Sequence, residues 1–352
     1  MWRKHSWRWV TGLVLMALLS AMERAPAAEK LESELIVRTE ADVKTIAGLA
    51  KMFEAKYPST KVIYTASMPS SESFVKSFNE MPNPQADILT TKAFYFIKGV
   101  SDSRQQHGQA MFEAYLSPER KRQNAKLMDR EGHWQTERWA ARAIVYWEDA
   151  AAKHGQINCW KDLLTWKGSF DYADPIKTGA GFSAVLGMVR AFGDWERPEG
   201  AVEFGAKLEK ARRMHHPGTD TMIQLFTRKE LDAHWNFDIY YYRLALQRGL
   251  KVKAVYPCEG TIIDINAVGI LRNAPHPKAA RAWIDFVLSR EAQEWLTAEA
   301  FYRTAGLDVR LRPEMEAIKI AREDRIQYDM PWELIATMTP RYKELWEQRV
   351  LR

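Results

Sequence analysis

The chain has 352 residues, with 51 Lys and Arg against 45 Asp and Glu, a formal net charge of +6 and a hydrophobic share of 46%. That apolar share excludes wholesale disorder, and the length suffices to bury the core of a protein built in two lobes. Two Cys exclude a small disulfide-stapled scaffold. At the start of the chain, Arg3, Lys4 and Arg8 precede an apolar run from Trp9 to Met22. Ala25-Pro26-Ala27 then offers the small-residue pattern that a signal peptidase cuts. The run is shorter than the roughly 20 residues of a membrane span. We read residues 1–27 as a cleaved export signal, with an uncleaved anchor as the alternative. Cleavage removes four basic residues and one acidic residue and leaves a net charge of +3. The remaining charges are interleaved, so the surface offers no electrostatic footprint for nucleic acid. An exported protein meets an oxidising space, where Cys159 and Cys258 either pair or stay as separate buried thiols.

Residues 34–38 (ELIVR) predict a buried strand. The following helix has Val43, Ile46, Ala47, Ala50 and Phe53 on one face and stops at Tyr57-Pro58. Residues 61–65 (KVIYT) predict a second strand, 71–81 a short helix ended by Pro82, and 86–90 (ADILT) a third strand. This alternation predicts an α/β lobe with a mostly parallel sheet, whose ligands sit just beyond the carboxyl ends of the strands. Those ends are Arg38-Thr39-Glu40, residues 66–71 and Thr90-Thr91. Further on, 143–147 and 168–173 read as strands, and 160–166, 182–192 and 200–214 as helices, with a loop at 176–181. The aromatic segment 231–246 reads as helical after Asp238. Strands at 251–256 and 261–271 bracket Pro257-Cys258-Glu259-Gly260, a helix spans 277–296, and the last forty residues read as surface helices.

Metalloprotease, hydrolase, Walker and dinucleotide-binding motifs are absent from the sequence. Ser73-Phe74-Val75-Lys76 and Lys177-Thr178-Gly179 match two of the three boxes of serine β-lactamases, but the third box is missing. A serine acyl-enzyme is therefore kept only as an alternative. Thr178-Gly179-Ala180-Gly181, just ahead of a helix, leaves amides free to point at an anion. Trp134, Trp139, Trp147, Trp235 and Tyr240-Tyr241-Tyr242 supply both core packing and pocket walls. His215-His216 before Pro217-Gly218 reads as a solvated turn rather than a metal site.

Several segments, in order, resemble the periplasmic solute-binding proteins of ABC importers, in the group for ferric ion, thiamine, polyamines, phosphonates and sugar phosphates. They are MFEAKYPSTKVIYT (52–65), PNPQADILTT (82–91), the W-x-D-L-L, W-K-G, D-P succession of 157–185, and the P-x-E-G-T stretch with its following helices at 252–296. The resemblance implies a type 2 periplasmic-binding fold, two Rossmann-like α/β lobes joined by crossover strands. One lobe would be 28–130 with 262–310, the other 131–261 with 311–352. It also implies a periplasmic monomer without cofactor or catalysis. Such a protein closes on a small polar solute and hands it to an ABC permease of the inner membrane. Ferric-iron binding and presentation to a membrane sensor kinase are the alternatives on the same fold.

Tyr240-Tyr241-Tyr242 ahead of Arg243 resemble the Y-Y-x-x-R segment of ferric-binding members, although only Tyr240 matches it and no His stands near Arg38-Thr39-Glu40. The expected cleft contacts are Thr39, Ser71, Thr90, Thr178, Gly179, Ala180, Asp238, Tyr240 and Glu259, followed by Trp139 and Arg142. Thr178–Gly181 and Arg142 suit a phosphate, phosphonate or carboxylate, and Asp238 suits an ammonium group. Together they suit a zwitterion such as an aminophosphonate.

Overall fold

The computed structural model of the chain describes residues 30–211 and 215–352. The expected export signal, residues 1–27, lies outside the described residues. The first part of the chain alternates β1 (Glu34–Thr39), α1 (Val43–Lys56), β2 (Lys61–Thr65), α2 (Ser70–Asn79), β3 (Ile88–Lys92) and α3 (Ala93–His107). The middle holds β4 (Gln135–Trp147), α4 (Glu148–His154), β5 (Phe170–Tyr172), α5 (Gly179–Phe192), α6 (Glu199–Ala211), α7 (Thr219–Thr227), β6 (Ala233–Phe237) and α8 (Asp238–Tyr242). Then follow β7 (Val252–Val255), β8 (Thr261–Ile270), α9 (Pro277–Leu288), α10 (Arg290–Ala300), α11 (Pro313–Ala317), β9 (Ile326–Gln327) and α12 (Trp332–Arg349). None of the described helices is long and apolar enough to cross a membrane.

The spacing of apolar residues explains α1. Ile46, Leu49, Ala50 and Phe53 are buried along one face, and Asp42 caps the start by accepting the Thr45 N–H at 2.9 Å. Burying a side chain the size of Phe53 contributes about 1.5–3 kcal/mol. The strands form one path in the order β2-β1-β3-β8-β4-β6-β5. β1 is parallel to both β2 and β3, while β8 runs antiparallel to β3 and to β4. β4 has 13 residues, all buried. Its first half pairs with β8 and its second half with β6 and β7, so β4 and β8 carry the sheet from one end to the other.

Several expectations change. β4 begins eight residues before 143, because Glu137 and Arg138 are buried inside the strand rather than solvated. β6 stands just ahead of the helix expected from Asp238, in residues for which no strand was expected, since His234 and Asn236 are both fully buried and leave no alternation to read. The loop expected at 176–181 is already helical from Gly179. The helix expected over 277–296 is two helices, because Ser289 takes an extended conformation and caps the second one. The last residues of the helix expected to reach 214 lie outside the described residues. Cys159 and Cys258, left open by the sequence, form a disulfide across a separation of 99 residues. His216 is not solvated. It is half-buried, with Nε2 at 2.7 Å from Glu209 and Nδ1 at 3.2 Å from the Tyr172 carbonyl. Burial pulls its pKa down, but the Glu209 carboxylate outweighs that and holds it above the usual histidine range.

Candidate functional site

Partners across a strand ladder share a face, as do residues two apart along a strand. That rule gathers a polar strip on one face of the sheet. Thr39 lies beside Thr90, Lys92 beside Asn266, Asp264 beside Ala140, and Arg142 beside Phe237. Four charges meet on the strip. Lys92 Nζ lies 2.9 Å from Glu40 Oε1 and 3.4 Å from Asp264 Oδ1. Arg142 Nη2 lies 2.5 Å from Asp264 Oδ2. Phe237 presents its ring to both cations, with the Arg142 guanidinium 3.4 Å and Lys92 Nζ 4.8 Å from its centroid. Glu40 also accepts from the Ser70 hydroxyl and the Asn266 amide. Arg142 has no exposed surface, and burial presses its pKa down while Asp264 works against that.

Two helices point their amino ends at this group. α2 starts at Ser70. α5 starts at Gly179, capped by Thr178, whose Oγ1 accepts the Gly181 N–H at 2.9 Å. A Cβ on Gly179 would stand 3.6 Å from Ser70 Oγ and 3.7 Å from Lys92 Cε, so the two helix starts face each other beside the lysine. Gly181 is obligatory for close approach, since a Cβ there would be 2.2 Å from the carbonyl oxygens of Ala173 and Asp174. Thr90 Oγ1, Arg142 Nε and Asn236 Nδ2 are buried and have no hydrogen-bond partner among the described residues. An unmet buried donor costs about 1–3 kcal/mol. An anion with several oxygens can meet such donors and the helix ends together.

Of the expected residues, Thr39, Thr90, Arg142 and Gly179 are brought together here, flanked by Ser71, Thr178 and Ala180. Others are committed elsewhere. Asp238 is buried and accepts from the Tyr256 hydroxyl at 2.9 Å, with Arg303 Nη2 at 3.4 Å, so its counter-ion is internal. Burial raises the Asp238 pKa, and Arg303 opposes the rise. Trp139 donates from Nε1 to the Thr304 carbonyl at 3.0 Å and meets Tyr328 edge-on. Glu259 accepts the N–H groups of Trp160 and Lys161 at 2.8 and 3.1 Å and sits beside the disulfide.

Tyr240 lines a separate cavity of about 220 Å³ with Asp42 and Arg243. There Arg243 Nη2 lies 3.3 Å from Asp42 Oδ2 and donates to the Ala300 carbonyl at 3.0 Å, tying α1 and α10 to the turn after α8. Replacing Arg243 with Ala is expected to lower unfolding stability by only about 0.2–1 kcal/mol, because both side chains are partly solvated. Urea titration checks this, and a loss several times larger would show a bridge stronger than its exposure allows.

Glu40 and Ser70 stand in strand ends read from the sequence without being named as contacts, and Lys92, Asn236, Phe237, Asp264 and Asn266 were not anticipated. One signal was present: Asp264 and Asn266, two apart, interrupt an otherwise apolar strand. The S-x-x-K match does not assemble an activated serine. Ser73 of the S-x-x-K match is fully buried and donates to the Ser70 carbonyl at 2.9 Å, while Lys76 is exposed. Among the described residues, a group of His, Cys, Asp and Glu close enough to share an ion is Cys159, Cys258 and Glu259, and its two sulfurs are bonded to each other.

Comparison with known proteins adds a family. The sequence model described as bacterial extracellular solute-binding protein matches residues 83–320. An uncharacterized protein of Haemophilus influenzae is 28% identical over 295 residues, 80% of each chain. Among solved structures, a periplasmic thiamin binding protein shares the fold with a TM-score of 0.75 at 17% identity, over 91% of this chain and 96% of that one. The apo ferric ion-binding protein A of Pasteurella haemolytica gives 0.74 at 16% identity, over 90% and 98%. The periplasmic binding protein AfuA of Actinobacillus pleuropneumoniae, with fructose-6-phosphate bound, gives 0.72 at 22% identity, over 91% and 99%.

Proposed function

The chain belongs to the bacterial extracellular solute-binding protein family and has the type 2 periplasmic-binding fold, and from that premise we propose that it captures a small anionic or zwitterionic solute in the periplasm and delivers it to an ABC permease. The observation that carries this reading is the convergence of two helix starts, at Ser70 and Gly179, on the buried Lys92, with unmet donors of Thr90 and Arg142 on the same face of the sheet. The solute would lie between a lobe built on residues 28–130 with 262–310 and a second built on 131–261 with 311–352. Thr39, Ser70, Ser71, Thr90, Lys92, Arg142, Thr178, Gly179 and Ala180 are its proposed contacts. A solute touching both lobes stabilises only their closed arrangement, and the permease reads that arrangement.

A bare ferric ion suits the group less well. A hard cation calls for several anionic oxygens free to meet at one point. Glu40 and Asp264 are each already paired with a cation, and Tyr240 and Tyr242 lie beside Arg243 and Arg303. Presentation to a sensor kinase would use the same site, and neighbouring genes for a permease and ATPase separate the two outputs.

Native mass spectrometry of protein isolated from periplasm is expected to reveal one small bound molecule. Thr178→Asp keeps a helix-capping side chain but adds a negative charge at the start of α5. It is expected to weaken binding of that molecule by roughly tenfold or more. Unchanged affinity would remove α5 from the site.

A further inference from the structure

We propose that the solute carries an ammonium group as well as an anionic head, and that Glu40 is the residue that demands it. The inference rests on the solute-binding reading above. Its starting point is charge balance. Lys92 and Arg142 are matched by Glu40 and Asp264, and all four side chains are nearly or fully buried, with at most 11% of any of them exposed. Arg138, which lies beside Asn266 across the ladder and is also buried, is matched by its neighbour Glu137, so the strip is neutral before any solute arrives. The Glu40 carboxylate already occupies the favourable anion position, on Lys92 and the Ser70 hydroxyl, at the start of α2 and opposite Gly179. Independent of those helix starts, Thr90 Oγ1 and Arg142 Nε are unpartnered donors on side chains with at most 1% exposure, on the same face of the sheet.

An anionic head that takes Lys92, Ser70 and these donors must displace Glu40. Left alone, the displaced carboxylate is a buried charge without a partner, which is strongly unfavourable. A solute with an ammonium group a few bonds from its anionic head resolves this. The Glu40–Lys92 pair is then replaced by two pairs, head with Lys92 and ammonium with Glu40, and the net charge stays at zero. Asp264, 3.4 Å from Lys92 Nζ, is the second carboxylate within reach of that ammonium. Asp238, the carboxylate that the sequence offers for this role, is held by Arg303 and Tyr256.

The test uses calorimetric titration of the full mature protein with two matched pairs, 2-aminoethylphosphonate against ethylphosphonate and β-alanine against propionate. In at least one pair the zwitterion is expected to bind roughly a hundredfold more tightly than the analogue lacking the amine. Glu40→Gln should erase that preference, the zwitterion weakening and the plain anion gaining. Thermal unfolding of the ligand-free variant checks that it folds, and the preference of the unmodified protein stands as a measurement by itself. Equal binding within both pairs, or binding by neither zwitterion, overturns the assignment. A co-purified solute that is purely anionic overturns it too, while leaving the solute-binding reading intact. Only protein that carries no solute from periplasm and binds none of the four probes counts against both.

Discussion

Acidification from pH 6.5 toward 3 is expected to destabilise the protein steeply through His234. This side chain is fully buried in β6, neither ring nitrogen has a hydrogen-bond partner among the described residues, and Phe226 packs edge-on at 4.5 Å. Burial alone pulls its pKa from 6.5 down to about 3. The unfolded chain therefore binds a proton at His234 across that interval and the folded chain does not. Stability is fully present above the unfolded pKa and is lost as pH falls below it, by about 1.4 kcal/mol per pH unit. Between pH 7 and pH 4.5 this one group removes roughly 2–3 kcal/mol. Urea titrations at both pH values should show that loss in the natural protein and lack it in His234→Phe. The carboxylates contribute alike to both proteins and cancel from the comparison. Equal pH slopes in the two proteins would mean that water or another acceptor reaches the ring.

The second large effect is expected from the Cys159–Cys258 bond. It closes a loop with a sequence separation of 99 residues. A closure of that size restricts the unfolded chain by about 4–5 kcal/mol in the chain-entropy account, and measured losses for native disulfides run at about 2–5 kcal/mol. The same corner holds further ties: Cys258 N–H donates to the Asn158 carbonyl at 2.9 Å, and Glu259 anchors the turn at Trp160. Local structure therefore survives reduction, and the loss falls on global stability. The double variant Cys159→Ala with Cys258→Ala should unfold at lower urea concentration, with about 2–5 kcal/mol less stability than the oxidised protein. A whole domain has only about 5–15 kcal/mol to lose. A difference below about 1 kcal/mol would mean that the unfolded chain is already compact near this corner.

The first strands and helices were legible because their apolar residues keep a clean period. β1, α1 and β2 fall within a few residues of their predicted bounds, and α8 begins at the expected Asp238. β4 and β6 were hard to read for one shared reason. Glu137, Arg138, His234 and Asn236 are polar yet buried, and a residue's burial depends on neighbours that are distant in sequence. The site divides in the same way. Thr39, Thr90 and Gly179 of the candidate site could be named from the sequence because strand ends and glycine turns before helices are local features. The meeting of Glu40, Lys92 and Asp264 could not, because it joins β1, β3 and β8, with Lys92 and Asn266 separated by 174 residues. Asp238 shows the converse: its position at a helix start was readable, whereas the pull of Arg303 on it was not.

The continuity of β4 and β8 has a mechanical meaning. They lie side by side, antiparallel, through the middle of the sheet and belong to the material on both sides of it. A pair of such strips behaves like twin leaf springs. It resists sliding along the strands, because that would break the ladder between them, and it resists twisting, because one strip would have to lengthen. It yields to bending across its plane. Under the proposed function, that bend is the motion that would open and close the gap between Ser70 and Gly179. On that reading, a solute seated there would set one angle, and the permease would meet that angle at the protein's surface.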